Sequence, residues 1–253
     1  MPIPLFFSFL FFFFFLHPSL SSADPFYHFC DDNGNYTANT TYATNLKQIL
    51  SSLPTNASRS SGFAKSTVGS TSNIVSALAL CCGDTNSSCR SFLDLSFQEA
   101  AQLCPFYKSV TIYYDLCLLS YSNQLFLSST DNSHQVFAWN VNNITDKRFG
   151  GESNHSTSKF ATSEMNIPDT FPTLYGLVQC TLDLSNGECR QCLQNLINET
   201  LKYFDGKQGG WVLGLRSNLR QLTSSSAFDG ASFSTGQLTA ITGCASFSLP
   251  LHN

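Results

Sequence analysis

Cysteines are the residues of this chain best placed to do chemistry, and their spacing indicates which chemistry. Cys180-x8-Cys189-x2-Cys192 stands in the second half and a damaged copy, Cys81-x7-Cys89-x2-Phe92, in the first, with Cys89 and Cys189 100 residues apart. All ten cysteines lie beyond an N-terminal segment with the marks of an export signal, so oxidation into disulfides is expected rather than metal binding. Cys189-Arg190-Gln191-Cys192 taken alone could be a redox pair or half of a zinc site, but no second C-x-x-C and no pair of histidines lies near it.

Other reactive residues offer less. The chain holds no G-x-S-x-G, no H-E-x-x-H and no P-loop, and Gly206-Lys207-Gln208-Gly209-Gly210 lacks the leading glycine and trailing hydroxyl of a phosphate cradle. Asp31 and Asp32 are a carboxylate pair, yet neighbours on an extended segment point apart, which suits a turn better than a glycosidase. His134 and His155 fall in a polar linker and His252 is the penultimate residue, so these read as solvated; His28, beside Cys30, reads as structural or exposed. No catalytic activity, cofactor or metal is expected. Charged residues make up 12% of the chain and the net charge is −4, without the basic stripe that nucleic-acid binding needs.

The elements that must position the cysteines repeat along with them. Leu78-Ala79-Leu80-Cys81 matches Leu177-Val178-Gln179-Cys180, and Gly62-Phe63-Ala64-Lys65-Ser66-Thr67 matches Lys159-Phe160-Ala161-Thr162-Ser163. A period of about 100 residues is long enough for each copy to bury its own core. Tyr42, Leu46, Ile49, Leu50 and Leu53 fall at helical spacing and predict a helix over 41–53 that Pro54 stops. A second helix is predicted over 89–103, and its counterpart over 189–202 behind the capping-box pattern Ser185-Asn186-Gly187-Glu188. The apolar, β-branched and aromatic segments 73–82 and 109–121 suit strands.

The expected organisation follows. Residues 1–23, with an apolar run over 3–16 and Ser21-Ser22-Ala23 behind it, read as a secretory signal that is removed. The first repeat occupies 24–127, a Ser/Asn-rich linker 128–158, the second repeat 159–222, and a Ser/Thr/Gly/Ala-rich tail 223–253. No further apolar stretch is long enough to span a bilayer, so the mature chain is expected to have no transmembrane segment. Seven sequons, at Asn35, Asn39, Asn56, Asn86, Asn143, Asn154 and Asn198, predict N-glycosylation.

Several stretches resemble the plant cysteine-rich repeat secretory family, built from the ginkbilobin-like (salt-stress-response/antifungal) module. They are Ser52-Leu53-Pro54 with Asn56-Ala57-Ser58, Cys89-Arg90-Ser91, Leu103-Cys104-Pro105, Tyr114-Asp115-Leu116-Cys117-Leu118-Leu119-Ser120-Tyr121-Ser122-Asn123, and Asp205-Gly206-Lys207-Gln208-Gly209-Gly210. The resemblance implies an α+β fold in each of two tandem repeats, an antiparallel sheet of about five strands packed on two helices and stapled by disulfides. It also implies bridges Cys30–Cys104, Cys81–Cys89 and Cys180–Cys189. The family's third bridge fails in both repeats, because Phe92 stands opposite Cys117 and Ser217 opposite Cys192. Cys82 is an extra residue that could replace either Cys89 or Cys117, and Cys192 with Cys244 is the simplest repair in the second repeat.

The antifungal module binds mannose through an Asn, an Arg and a Glu, and the positions matching them here are Asp31, Thr111 and Ser122. The second repeat offers Trp211 and Leu222 for the Arg and Glu, so mannose binding does not carry over by resemblance. Asp31, Thr111 and Ser122 still have hydrogen-bonding side chains, and Trp211 could stack on a sugar or fill a core. The reading that the resemblance favours is a secreted, non-catalytic module of the apoplast in stress or defence that contacts an extracellular protein partner, a receptor-kinase ectodomain among the candidates. The alternative is a carbohydrate-binding, mannose-type antifungal lectin acting on a cell-wall glycan.

Overall fold

The computed structural model of the chain describes residues 25–82, 89–114, 116–132, 134–140, 159–167, 171–204 and 207–223. The expected signal segment, most of the tail with Cys244, and the sequons at Asn86, Asn143 and Asn154 lie outside the described residues. The first repeat runs β1 (Tyr27–Asn35), α1 (Thr41–Arg59), β2 (Phe63–Val68), β3 (Val75–Cys81), α2 (Cys89–Leu103), β4 (Tyr107–Tyr113) and β5 (Cys117–Ser122). The second runs β6 (Val136–Trp139), β7 (Phe160–Ile167), β8 (Phe171–Cys180), α3 (Asn186–Tyr203), β9 (Gly209–Leu213) and β10 (Ser217–Thr223). Each repeat makes one five-stranded antiparallel sheet, with orders β1-β4-β5-β3-β2 and β6-β9-β10-β8-β7. The orders coincide when β6 replaces β1 and each later strand its counterpart.

Local sequence accounts for the helix ends. The side chain of Thr40 accepts from Ala43 N at the start of α1, and Tyr42, Leu46, Ile49, Leu53 and Ala57 form its buried stripe. Contrary to expectation, Pro54 does not stop the helix but sits buried inside it. One lost N–H is tolerated because this stretch continues the buried stripe as far as Ala57. The stop comes at Gly62, whose φ of +81° suits glycine and whose N–H donates to Ala57 O at 2.9 Å. α3 begins with the expected capping box: Glu188 N donates to Ser185 Oγ, and Ser185 N to Glu188 Oε2.

The apolar stretch 109–121 is not one strand but the antiparallel pair β4 and β5. The expected linker is shortened by β6, whose Val136 and Ala138 are buried while Phe137 and Trp139 are half-buried, the period-2 pattern of a strand. The place of the expected second helix of the second repeat, the counterpart of α1, is between β6 and β7, where residues 141–158 lie outside the described residues.

β3 is buried on both faces, so its residues are apolar apart from Ser76 rather than alternating with polar ones. Ala77, Ala79 and Cys81 join the core beneath α1 and α2, with Ile49, Leu53, Leu93, Ile112 and Leu119. On the opposite face Leu78 and Leu80, with Phe26, Phe63, Tyr113 and Leu118, meet Val136, Ala138, Trp211, Leu213 and Leu222 of the second sheet. The two sheets therefore share an apolar layer, and the repeats are packed against each other. Polar ties reinforce it: Gln179 Nε2 donates to Cys81 O (2.9 Å), and Lys65 Nζ lies 2.7 Å from Asp183 Oδ2, which also receives the buried Arg216 at 3.0 Å. Burial would raise the Asp183 pKa, but hydrogen bonds from Lys65, Thr181 and Arg216 hold it below the usual carboxylate value.

Disulfides join Cys30 to Cys104, with Cα atoms 5.5 Å apart, and Cys180 to Cys189, at 5.8 Å. Cys81 and Cys82 are both disulfide-bonded, and the side chain of Cys89 lies outside the described residues. The Cys82–Cys117 pair is not formed: Cys117 keeps a thiol under α2, 3.9 Å from Ser96 Oγ. Its cross-strand neighbour is Cys81, not Cys82, so side-chain alternation puts Cys82 on the wrong face. Nor is Cys192 bridged to Cys244. Cys192 keeps a buried thiol beside the Cys180–Cys189 bridge, where it donates to Thr130 O at 3.6 Å and burial pushes its pKa up. Ser217, in the place of the missing partner, is held by Asn132 Nδ2 at 3.2 Å.

Candidate functional site

The face that the first sheet turns toward the second changes character along its strands. Leu78, Leu80, Tyr113 and Leu118 are apolar, whereas Ser109 and Thr111 on β4 and Ser120 and Ser122 on β5 place hydroxyls on the same face. Where the hydroxyls begin, the apolar layer opens into a cleft of about 270 Å³. Asp31, Thr111 and Ser122, expected to match a ligand triad, line this one cleft with Ser109, Ser120, Asn33 and Gln124. The segment between the repeats adds Phe126, Asp131 and His134, and the β9–β10 turn adds Leu215.

Strand pairing sets this geometry. Phe29 pairs with Thr111 and Asp31 with Ser109, and beyond Asp31 the register of β1 shifts before Asn35, where Gly34 takes a φ of +92°. Asp31 Oδ2 accepts from Ser109 Oγ at 2.8 Å, and Asp31 Oδ1 lies 3.0 Å from His134 Nε2. Thr111 and Ser120, cross-strand partners, share a hydroxyl–hydroxyl bond of 2.9 Å, and Ser122 Oγ accepts from Gln124 N at 3.2 Å. His134 O accepts from the buried Tyr113 hydroxyl at 2.7 Å, which fixes the inter-repeat segment over the cleft. His134 is therefore more than a solvated linker residue. Sequence reasoning missed His134, Asp131, Ser109 and Ser120: the first two reach the cleft because the segment after β5 folds back onto the first sheet, where His134 meets Phe29, Asp31 and Tyr113, but Ser109 and Ser120 could have been found by following the strand period from Thr111 and Ser122. Asp32, next to Asp31, is exposed and takes no part in the cleft.

The second repeat closes the corresponding place. Trp211 pairs with Arg220 as Thr111 pairs with Ser120. Here Arg220 lies over the Trp211 ring, 4.3 Å from its centroid, and Phe26 packs on the same ring at 5.2 Å. Trp211 is 1% exposed, so it fills the layer between the sheets and offers no stacking surface to a sugar. Leu222, across from Ser122 in the repeat, is buried in that layer too. Elsewhere His28, Cys30 and Cys104 approach one another, but the two sulfurs are bonded together and leave no metal-ligand set there. No helix among the described residues is long and apolar enough to cross a membrane.

Comparison with known proteins agrees with this architecture. The chain is similar to the antimicrobial ginkbilobin-2-like protein of Castanea crenata, 36% identical over 215 residues, which is 80% of this chain and 88% of that protein. Cysteine-rich repeat secretory protein 38 of Arabidopsis thaliana is 38% identical over 210 residues, 77% of this chain and 82% of that one. Cysteine-rich receptor-like protein kinase 10 of Oryza sativa subsp. japonica is 36% identical over 225 residues, and there the match spans 35% of the relative. In fold, the chain is similar to the crystal structure of the tandem DUF26 ectodomain of the Arabidopsis thaliana cysteine-rich receptor-like protein PDLP8, with a TM-score of 0.68 and 22% identity over 80% of this chain and 100% of that one. The salt stress response/antifungal profile matches twice, over residues 29–124 and 127–221, one match for each sheet and its helices, and the chain belongs to that family.

Proposed function

We propose that this protein is a secreted, non-catalytic module of the apoplast that binds a carbohydrate in the cleft between its repeats. The observation that carries this reading is the convergence of Asp31, Thr111 and Ser122 on one polar cleft with Ser109 and Ser120. Convergent hydroxyl and carboxylate groups in a concave site can orient a sugar by hydrogen bonds, and Phe126 adds an apolar wall. Its volume is near the lower end of ligand pockets, about 300 Å³, which suits one or two sugar units. The exposed sequon residues Asn35, Asn39, Asn56 and Asn198 would carry N-glycans. Antimicrobial action, named for one relative, is a role such binding would serve.

The test is titration of the secreted protein with cell-wall glycans, beside the variant Asp31→Asn/Thr111→Arg/Ser122→Glu. Saturable glycan binding is expected from the wild type, and a gain of mannose affinity from the triple variant. A folded wild type that binds no glycan would defeat the reading.

A second reading, contact with a protein partner, draws on the relatives named as receptor-like kinases and on one feature of α3. Ile197 and Tyr203 are 40% and 45% exposed, whereas Phe97 and Leu103, their counterparts 100 residues earlier, pack onto the core of the first repeat. Substituting Ile197→Asp and Tyr203→Ser should abolish capture of a protein partner while leaving glycan binding intact, and unaltered capture would remove α3 from that role.

A further inference from the structure

The charge of the cleft narrows the class of sugar. Four hydroxyl side chains in its wall, Ser109, Thr111, Ser120 and Ser122, are each at least nine-tenths buried. Thr111 and Ser120 together use one of their two hydroxyl protons on each other, and Ser122 Oγ accepts from Gln124 N. The wall thus keeps both donors and acceptors for a polyol. Its charged groups are all acidic or titratable: Asp31, Asp131 and His134 line the cleft, and no Lys or Arg does among the described residues. The Asp31 carboxylate accepts two short contacts, from Ser109 and His134, and a carboxylate has about four acceptor sites. An ammonium group at hydrogen-bond distance from Asp31 would gain a charge-assisted bond inside a partly buried site, where screening is weaker than at the surface.

From this we infer that the cleft takes a sugar bearing a primary amine, such as the glucosamine units of a deacetylated β-1,4 glycan, in preference to neutral sugars. The ammonium sits on Asp31, the ring hydroxyls meet the buried Ser and Thr side chains, and a C–H face lies against Phe126. Sugars carrying phosphate or carboxylate are repelled by the same carboxylate, and the net charge of −4 draws cations toward the molecule. This rests on the reading of the cleft as a carbohydrate site and names its ligand class.

The experiment is calorimetric titration of the full secreted protein with a glucosamine tetramer, an N-acetylglucosamine tetramer, a mannose tetramer and tetralysine. Binding of the glucosamine tetramer is expected to be at least tenfold tighter than that of either neutral tetramer or of tetralysine. Asp31→Asn, which keeps the shape and removes the charge, should erase that advantage, so that the glucosamine tetramer binds no more tightly than the N-acetylglucosamine tetramer. A neutral tetramer bound as tightly by the wild type would overturn the inference while leaving the carbohydrate reading in place. Tetralysine bound as tightly would show that charge alone is recognised and would also overturn it. If a folded protein binds none of the glycans, the underlying reading falls as well. The wild-type comparison decides the question even if Asp31→Asn fails to fold.

Discussion

Thr111 and Trp211 occupy the same register position in two copies of one sheet, and the difference between them separates a cleft from a core. In the first repeat a threonine and a serine face each other and leave room; in the second a tryptophan and an arginine face each other and fill it. The fold does not decide which repeat can hold a ligand, because both sheets have the same strand order. Side-chain volume at two cross-strand pairs decides it. The same tryptophan that fills this place in the second repeat also belongs to the apolar layer joining the repeats, whereas the first repeat keeps an open cleft there.

The sharpest way to break this comparison is at Trp211. Trp211→Ala removes a fully buried aromatic from the layer between the sheets and should cost about 3–5 kcal/mol. Thr111→Ala loses one shared hydroxyl bond and should cost about 1 kcal/mol. Denaturant unfolding of both variants checks the pair. Equal losses would mean that Trp211 is not the closure we describe.

A smaller effect is expected at the neighbouring position, Val110 in the first repeat and Gly210 in the second. A Cβ on Gly210 would lie 2.7 Å from the Phe204 ring, which is itself buried, so Gly210→Ala should cost about 1–3 kcal/mol through overpacking. Val110 packs without conflict in the core under α1 and α2. Thermal melting of Gly210→Ala is the check, and an unchanged Tm would show that Phe204 can move aside.

Much of this contrast could be read from residues before any coordinates. The 100-residue cysteine offset pairs Thr111 with Trp211 and Ser122 with Leu222, and the structure keeps that correspondence through the strand registers. The capping box at Ser185 was legible because its groups are local. Pro54 misled because helix stops are read from backbone propensity, whereas here a buried stripe carries the helix onward to Arg59. β6 was hidden because four residues are too few to show a period against a Ser/Asn-rich background. Nothing near Arg220 in sequence announces that its partner is the face of a tryptophan nine residues away across a turn. The thiols of Cys117 and Cys192 depend on which neighbours tertiary packing supplies, which no spacing rule contains.

The smallest expected effect sharpens the comparison from the opposite edge of the junction. The cleft lies where β1, β4 and β5 meet the inter-repeat segment, while Lys65 sits on the far edge strand β2 and reaches Asp183 of the second repeat at 2.7 Å. Lys65 is 41% exposed, so solvent screening limits the pair and Lys65→Ala should cost no more than about 1 kcal/mol at neutral pH. The pH dependence follows from the lowered pKa of Asp183. A carboxylate held below its unfolded value contributes stability above about pH 4 and loses it as the pH falls through the folded pKa. The stability gap between wild type and Lys65→Ala should therefore be widest near neutrality and shrink as the solution is acidified below about pH 4. A gap that stays constant in acid would assign the contact to the packing of the lysine stem rather than to charge. Because this tie is at the other edge of the sheet, Lys65→Ala should leave glycan affinity untouched at every pH where the protein stays folded; a parallel loss of binding would mean that the cleft depends on how the whole junction is held, not on the open pair Thr111 and Ser120 alone.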